Sequence, residues 1–235
     1  MSQQIHPLPL GGNIEIPEPA WKPLDQLASQ LGFWASVVAA IGSLGFSVAA
    51  LLDLGHLLAF PWNHILIFAP SLLLAIAFLL VMVSIYHYAP IEQKLWSHIG
   101  LIFATMYATL NSLVYIVQLA VVIPHETQGN VSDVAFLEMN QGSFMEAINA
   151  IAYSLMSLST LFASVVFVGS RLKRSIRYLF IANGLLAPII LLILAFRGLL
   201  PIGALWIITL PFSMILLAIF FYRVRTKATH GDGKK

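Results

Sequence analysis

The chain has 235 residues, of which 59% are hydrophobic and only 9% are charged, with a formal net charge of +2 at pH 7. A soluble domain usually carries about 25% charged residues, so a water-exposed globular surface is excluded and most of the surface is expected to face lipid. The absence of cysteine excludes disulfides, thiolate metal ligands and cysteine nucleophiles, and the basic residues are placed beside apolar segments rather than in a nucleic-acid-binding patch.

The N-terminal segment, residues 1–32, is predicted to be a cytoplasmic tail. Its first twenty residues hold four prolines and an adjacent pair of glycines, which indicates extended chain. After these, Trp21, Leu24, Leu27 and Leu31 recur at helical spacing, which predicts a short interfacial helix leading into the membrane.

Six apolar runs follow, and each is long enough to cross a bilayer as a helix of about 20 residues. They predict an all-α integral membrane bundle over residues 33–222, with a basic cytoplasmic tail at 223–235 and no soluble domain. The predicted spans are residues 33–58, 65–86, 99–122, 144–168, 178–196 and 199–221.

The basic residues predict how the bundle is oriented. With both termini in the cytoplasm, eleven of the twelve Lys and Arg residues lie inside and only Arg197 lies outside. The longest external connection, residues 124–142, then contains acidic residues and no Lys or Arg. We therefore expect a multi-pass protein of the prokaryotic cell (inner or plasma) membrane, with both termini cytoplasmic.

Span one carries small residues at every fourth position, namely Ala35, Ala39, Ser43 and Ser47. Such a row allows another helix to approach closely, either within this bundle or as a dimerisation face. Pro201 and Pro211 are expected to interrupt span six. Span three has no matching proline, which is unlike the paired interruptions of inverted-repeat transporters.

Strongly polar residues within the spans are costly in lipid, so they are expected to face the bundle interior and to have partners. Four spans place such residues at a similar depth near the predicted outer side. Span one carries Asp53 and His56; span three Asn111, Tyr115 and Gln118; span four Glu146, Asn149 and Tyr153; and Arg197 ends span five.

Three interpretations of this polar set remain open. In the first, Arg197 pairs with Glu146, or with Asp53 as the alternative, and the set only holds helices together. In the second, the residues form an outward-facing pocket. In the third, Asp53, His56 and Glu146 belong to an intramembrane hydrolase or transferase. The histidines and carboxylates lack the spacing of a zinc site, so no metal ligand is assigned.

Several segments resemble an uncharacterised family of prokaryotic six-helix membrane proteins. They cover spans three to six, and the resemblance implies a membrane location without assigning a role to any residue. The segments are residues 115–124, 142–157, 182–188 and 205–211.

The sequence thus predicts a small polytopic membrane protein with an outer-leaflet polar pocket for a small ligand, an ion or a lipid head group, acting in binding or transport. The alternatives are a structural or accessory subunit and the intramembrane enzyme. No catalytic residue and no cofactor is assigned. The expected partners are the lipid bilayer and a second copy or another membrane protein.

Overall fold

The computed structural model describes the backbone of residues 22–231 and the side chains of residues 26–226. Within this part of the chain all regular elements are helical, and six helical segments are long and apolar enough to cross a membrane. The predicted all-α bundle of six membrane-length helices is therefore confirmed. The tail at residues 1–21 and the last four residues lie outside the described residues.

The first three spans are long helices. They are α1 (Lys22–Leu54), α2 (Trp62–Tyr88) and α3 (Lys94–Val117), and a 3₁₀ turn (Ile91–Gln93) precedes the third. Span three continues through a π-helical segment (Gln118–Val122) into α4 (Ile123–Thr127). Pro124 lies just beyond this segment and has no N–H for the regular helical pattern, and π-helical segments of this kind often occur at functional sites.

The last three spans are less regular. They follow a connection that holds α5 (Val131–Val134), and they comprise α6 (Phe144–Ala163) with a 3₁₀ turn (Ser164–Val166), α7 (Arg171–Gly184), α8 (Ala187–Leu192), a 3₁₀ turn (Arg197–Leu199), α9 (Leu200–Gly203) and α10 (Trp206–Gly231). Span five is thus broken between α7 and α8, and span six between α9 and α10. Pro211 lies inside α10 without ending it, so the interruption expected at that proline is not found.

The helix bounds differ from the predicted ones at three places. The predicted interfacial segment is continuous with span one in α1, because Gly32 does not end the helix and instead lies against the ring of Phe221. Residues 171–177, predicted as a loop, form the first turns of α7, and residues 223–231, predicted as a tail, extend α10. Basic side chains allow this because they reach water from a helix that leaves the hydrocarbon.

The six spans form a closed ring in chain order. Each span packs against the next, α7 packs against α10, and α10 returns to α1. The main core lies inside the ring and includes Leu74, Phe78, Tyr107, Met156 and Met214. We call the end of the bundle with the 55–61, 128–143 and 193–199 connections the loop end, and the opposite end the terminal end.

The small residues of α1 pack within this ring. Ala35, Ala39, Ser43 and Ser47 are all buried, at 0–9% exposure. The Ser47 hydroxyl lies within hydrogen-bond distance of the carbonyl oxygens of Ser43 (2.8 Å) and of Ile207 in α10 (3.2 Å). This row of small residues therefore faces the interior of the bundle, and it is not an exposed face for dimerisation.

Candidate ligand cavity

A cavity of about 360 Å³ lies inside the ring at the loop end. This volume is at the low end of the ~300–1,000 Å³ range of small-molecule sites. All six spans contribute to its wall, which is mostly apolar. The lining residues include Phe46, Ile67, Tyr115, Glu146, Asn149, Tyr153, Ile190, Leu194, Leu200, Gly203 and Trp206.

An ion pair lies at the loop end of the cavity. Arg197 donates to Glu146 in a bidentate arrangement, Nη1 to Oε1 at 2.5 Å and Nη2 to Oε2 at 2.7 Å. The Gly142 backbone N–H also donates to Glu146 Oε2, at 2.6 Å. Ser143 caps α6 by accepting from the Glu146 N–H, which fixes the first turn that carries the carboxylate. The prediction that Arg197 pairs with Glu146 is confirmed.

Two tyrosine hydroxyls meet deeper in the cavity. Tyr115 in α3 and Tyr153 in α6 are both almost fully buried, and their hydroxyl oxygens are 2.9 Å apart. Tyr153 follows Glu146 by seven residues, which places it about 10 Å further along the helix. The Trp206 ring lies 4.6 Å from the Tyr153 ring and 5.0 Å from the Phe46 ring, centroid to centroid. These rings form an aromatic wall.

Asn149 lies between the ion pair and the tyrosines on the same face of α6. It lines the cavity, and its Oδ1 atom is buried without a hydrogen-bond partner among the described residues. The large majority of buried side-chain polar atoms in proteins have such a partner. Asn149 Nδ2 is not among the buried atoms and makes no hydrogen bond to a described residue either, so the whole amide is left for a ligand or water in the cavity.

The other two polar residues of span three do not line the cavity. Asn111 is fully buried, its Nδ2 donates to the Tyr107 hydroxyl at 3.2 Å, and its Oδ1 has no partner among the described residues. Gln118 bonds the connection before α6, where Nε2 donates to the Leu137 carbonyl at 2.6 Å and Oε1 accepts from the Met139 N–H at 3.2 Å. Gln118 thereby holds the connection against the bundle.

Asp53 and His56 are not brought to the cavity. His56 is exposed, has a positive φ of 54°, and ends α1 as the left-handed residue of a helix C-terminal motif. Its N–H donates to the Asp53 carbonyl and the next N–H, of Leu57, donates to Leu52. Neither side chain takes part in the hydrogen bonds or ion pairs of the described residues, so the Asp53 alternative for Arg197 is wrong.

Sequence reasoning missed a second polar cluster, which is buried between spans four, five and six. Asn183 Nδ2 donates to Thr160 Oγ1 at 3.1 Å, and Thr209 Oγ1 donates to Asn183 Oδ1 at 3.2 Å. The sequence feature that could have indicated this cluster is Asn183, a lone asparagine inside the apolar run of span five. Trp206 was also missed, because a tryptophan near a span end is more often an interfacial residue.

The described residues hold no group of three or more His, Cys, Asp or Glu side chains that could bind a metal ion. The closest such contact on the loop end is His64 Nδ1 to Glu126 Oε2 at 4.0 Å. The chemistry of the cavity is therefore that of hydrogen bonding, one ion pair and apolar contact.

Six membrane-length helices in a ring define the class, a multi-pass helical membrane protein. Comparison with known protein families, with curated proteins and with solved structures found no match for this chain. A proposal for the function therefore has to be argued from the residues that line the cavity.

Proposed function

We propose that the protein binds a small ligand in the loop-end cavity, as a receptor or a transporter. The observation that carries the proposal is the side-chain amide of Asn149, which makes no hydrogen bond to a described residue although Asn149 lines a cavity formed by all six spans. An unpaired polar group costs about 1–3 kcal/mol when buried. Retaining such an amide at a cavity wall is understandable if a ligand supplies the missing partner.

The sequence of polar groups along the cavity supports this proposal. The Glu146–Arg197 pair, Asn149 and the two tyrosine hydroxyls follow one another inward, separated by apolar wall. Small-molecule sites have this composition, with a few placed polar groups in a mainly apolar cleft. On the orientation predicted from the basic residues, this cavity faces the outer side of a prokaryotic cell membrane.

A structural or accessory subunit is the second candidate, and the ion pair itself favours it. The Glu146–Arg197 pair joins span four to the turn between spans five and six, and the Asn183 cluster joins the same three spans. Both would hold helices together without any ligand. The intramembrane enzyme has less support, because Asp53 and His56 do not line the cavity with Glu146.

Cysteine accessibility separates a cavity that admits polar molecules from a dry packing defect. The chain contains no native cysteine, so a single Asn149→Cys variant reports only on the cavity. Two variants in the same helix provide controls: Ile151→Cys on the lipid-facing side (45% exposed) and Ala152→Cys in the core (0% exposed). Each would be treated in membranes with a small, uncharged, polar thiosulfonate reagent that carries a hydroxyethyl group.

We expect Asn149→Cys to be modified, and both controls to remain unmodified. Ile151→Cys stays unreactive because a thiol in hydrocarbon is not ionised, and the thiolate is the form that reacts. Thermal unfolding in detergent confirms that each variant is folded. A folded Asn149→Cys protein that reacts no faster than Ala152→Cys contradicts the proposed function and favours the structural role.

A further inference from the structure

We infer that the ligand is an uncharged single-chain amphiphile whose head group carries a hydroxyl. This inference rests on the proposed function and narrows it, since a small ligand, an ion and a lipid head group were all left open. Three properties of the cavity support it: the charge of its wall, its unused hydrogen-bonding groups and its volume.

The wall has no unpaired charge. Among the residues that line the cavity, Glu146 alone has a charged side chain, and both of its oxygens accept from Arg197. Gly142 N–H supplies a further donor to the same carboxylate. An ionic head group entering this cavity would lose hydration without gaining an unpaired counter-charge, which is strongly unfavourable. An uncharged head group avoids that cost.

The unused hydrogen-bonding group of the cavity wall is the side-chain amide of Asn149. Its Oδ1 and its Nδ2 both make no hydrogen bond to a described residue. The Tyr115 and Tyr153 hydroxyls are already engaged, with each other and with Ser71 and Asn111. A ligand hydroxyl both donates and accepts, and therefore complements the amide whichever of its ends faces the ligand.

The volume and the remaining wall fit one apolar chain. A volume of about 360 Å³ corresponds to roughly a dozen groups of the size of a water molecule, at ~30 Å³ each. That accommodates a head group with one chain of about ten carbons. Ile190, Leu194, Leu200 and Ile207 provide the apolar surface.

Trp206 in the cavity wall makes binding directly measurable. Four of the five tryptophans, all except Trp206, would be replaced by phenylalanine, and the protein placed in lipid nanodiscs. Three probes of equal chain length would then be titrated, since bromine quenches tryptophan on contact: 10-bromodecanol, 10-bromodecanoate and (10-bromodecyl)trimethylammonium. A matched protein that keeps only the lipid-facing Trp34 (58% exposed) measures simple partitioning into the bilayer.

We expect saturable quenching of Trp206 by bromodecanol at a concentration at least about 10-fold lower than by either charged probe. Quenching of Trp34 should rise without saturation for all three. Asn149→Leu should weaken bromodecanol binding about 10-fold, and Asn149→Asp, which adds an unpaired charge, should reverse the preference toward the ammonium probe.

A charged probe that binds parent protein as tightly as the alcohol overturns the ligand class and leaves the proposed function standing. Saturable quenching that Asn149→Leu does not change also overturns it, because the alcohol then binds elsewhere. If quenching by no probe saturates, the ligand class is wrong. The Asn149→Cys reaction then decides whether the proposed function stands. A reactive cysteine leaves a cavity for another ligand, and an unreactive one removes the proposed function as well.

Discussion

At the scale of single residues, two asparagines with buried side-chain oxygens, Asn183 and Asn149, differ in their hydrogen bonding. Asn183 uses both ends of its amide, one to Thr160 and the other to Thr209. Asn149 has an amide oxygen that is equally shielded and makes no hydrogen bond among the described residues. Asn183 therefore joins helices through its hydrogen bonds, whereas Asn149 keeps a hydrogen-bonding group that no described residue uses.

Replacing each asparagine with leucine should have opposite effects on stability. Asn183→Leu removes two hydrogen bonds and leaves the Thr209 hydroxyl without its acceptor, so we expect a loss of about 1–3 kcal/mol. Asn149→Leu removes no hydrogen bond of the described structure, so its stability should equal or exceed that of the parent. Unfolding in detergent, followed for both variants, measures the difference. Equal losses at the two positions would contradict the distinction between them.

The Glu146–Arg197 pair should behave as a coupled unit. Its side chains are 24% and 31% exposed, so we expect each single alanine variant to lower the unfolding temperature, by less than the loss of one partner of a fully buried pair would. The double variant should cost clearly less than the sum of the two. Asp53→Ala is the matched control for a carboxylate that makes no ion pair with a described residue, and it should change stability by less than about 0.5 kcal/mol.

Simple addition of the two single losses would mean that the pair does not contribute to folding. The pair could be predicted from two features of the sequence. Arg197 is the one Lys or Arg residue on the predicted outer side, and Glu146 is the first residue of the polar face of span four. Asp53 and His56 carry the same kind of signal, yet they lie outside the cavity. Sequence spacing gives the faces of a helix, whereas the face that turns inward depends on how its neighbours pack.

At the scale of elements, irregular helix segments occur in three spans, all toward the end of the bundle that holds the cavity. The π-helical segment Gln118–Val122, the break between α7 and α8 and the break between α9 and α10 all occur in the loop-end halves of their spans. Non-helical backbone at membrane depth is tolerated where it is buried in protein or lines a cavity. The regular helices α1 and α2 form the opposite side of the ring.

Gly184, at the end of α7, sets the spacing of spans four and five. A Cβ added there would lie 2.5 Å from Leu161 Cβ and 3.0 Å from Leu161 Cα, so the two helices would have to separate. We expect Gly184→Ala to destabilise the protein by about 1–3 kcal/mol. Gly198→Ala is the control, because nothing lies within 4 Å of its added Cβ, and it should be near neutral. Thermal unfolding of the two variants measures the difference in stability. If Gly184→Ala is as stable as the parent, close contact at Gly184 does not set the distance between spans four and five.

The number of spans could be predicted because hydrophobicity and length determine it. The positions of the helix breaks could not be predicted. Pro211 lies within a continuous helix, and the break in span six falls instead between Gly203 and Trp206. A proline in a membrane helix ends it only when no neighbour compensates for the missing hydrogen bond. That compensation is a property of the packed bundle.

At the scale of the whole molecule, the ring in chain order places the cavity at one end and a second cavity at the other. The second cavity, of about 370 Å³, is lined by residues that include Ser29, Ser84, His87 and Phe221. The buried core residues Leu74, Phe78 and Met214 lie at the level between the two. A binding protein needs only the loop-end cavity, whereas a transporter would have to open this layer.

The orientation of the ring is predicted by its basic residues. A reporter fused after Lys227 should be cytoplasmic, and one inserted near Gly129 should be external, because eleven of the twelve Lys and Arg residues then lie inside. Paired phosphatase and fluorescent-protein fusions at both positions test this. A cytoplasmic signal at Gly129 would invert the bundle and place the cavity on the inner side.

The most direct measurement for the cavity is an electron-density map of the protein crystallised from a lipidic phase. We predict ordered non-protein density within hydrogen-bond distance of the Asn149 side-chain amide, continuous with or adjacent to the Tyr115 and Tyr153 hydroxyls. A map in which that amide bonds a protein group, and the side chains of spans five and six close the cavity, would contradict a ligand-binding role.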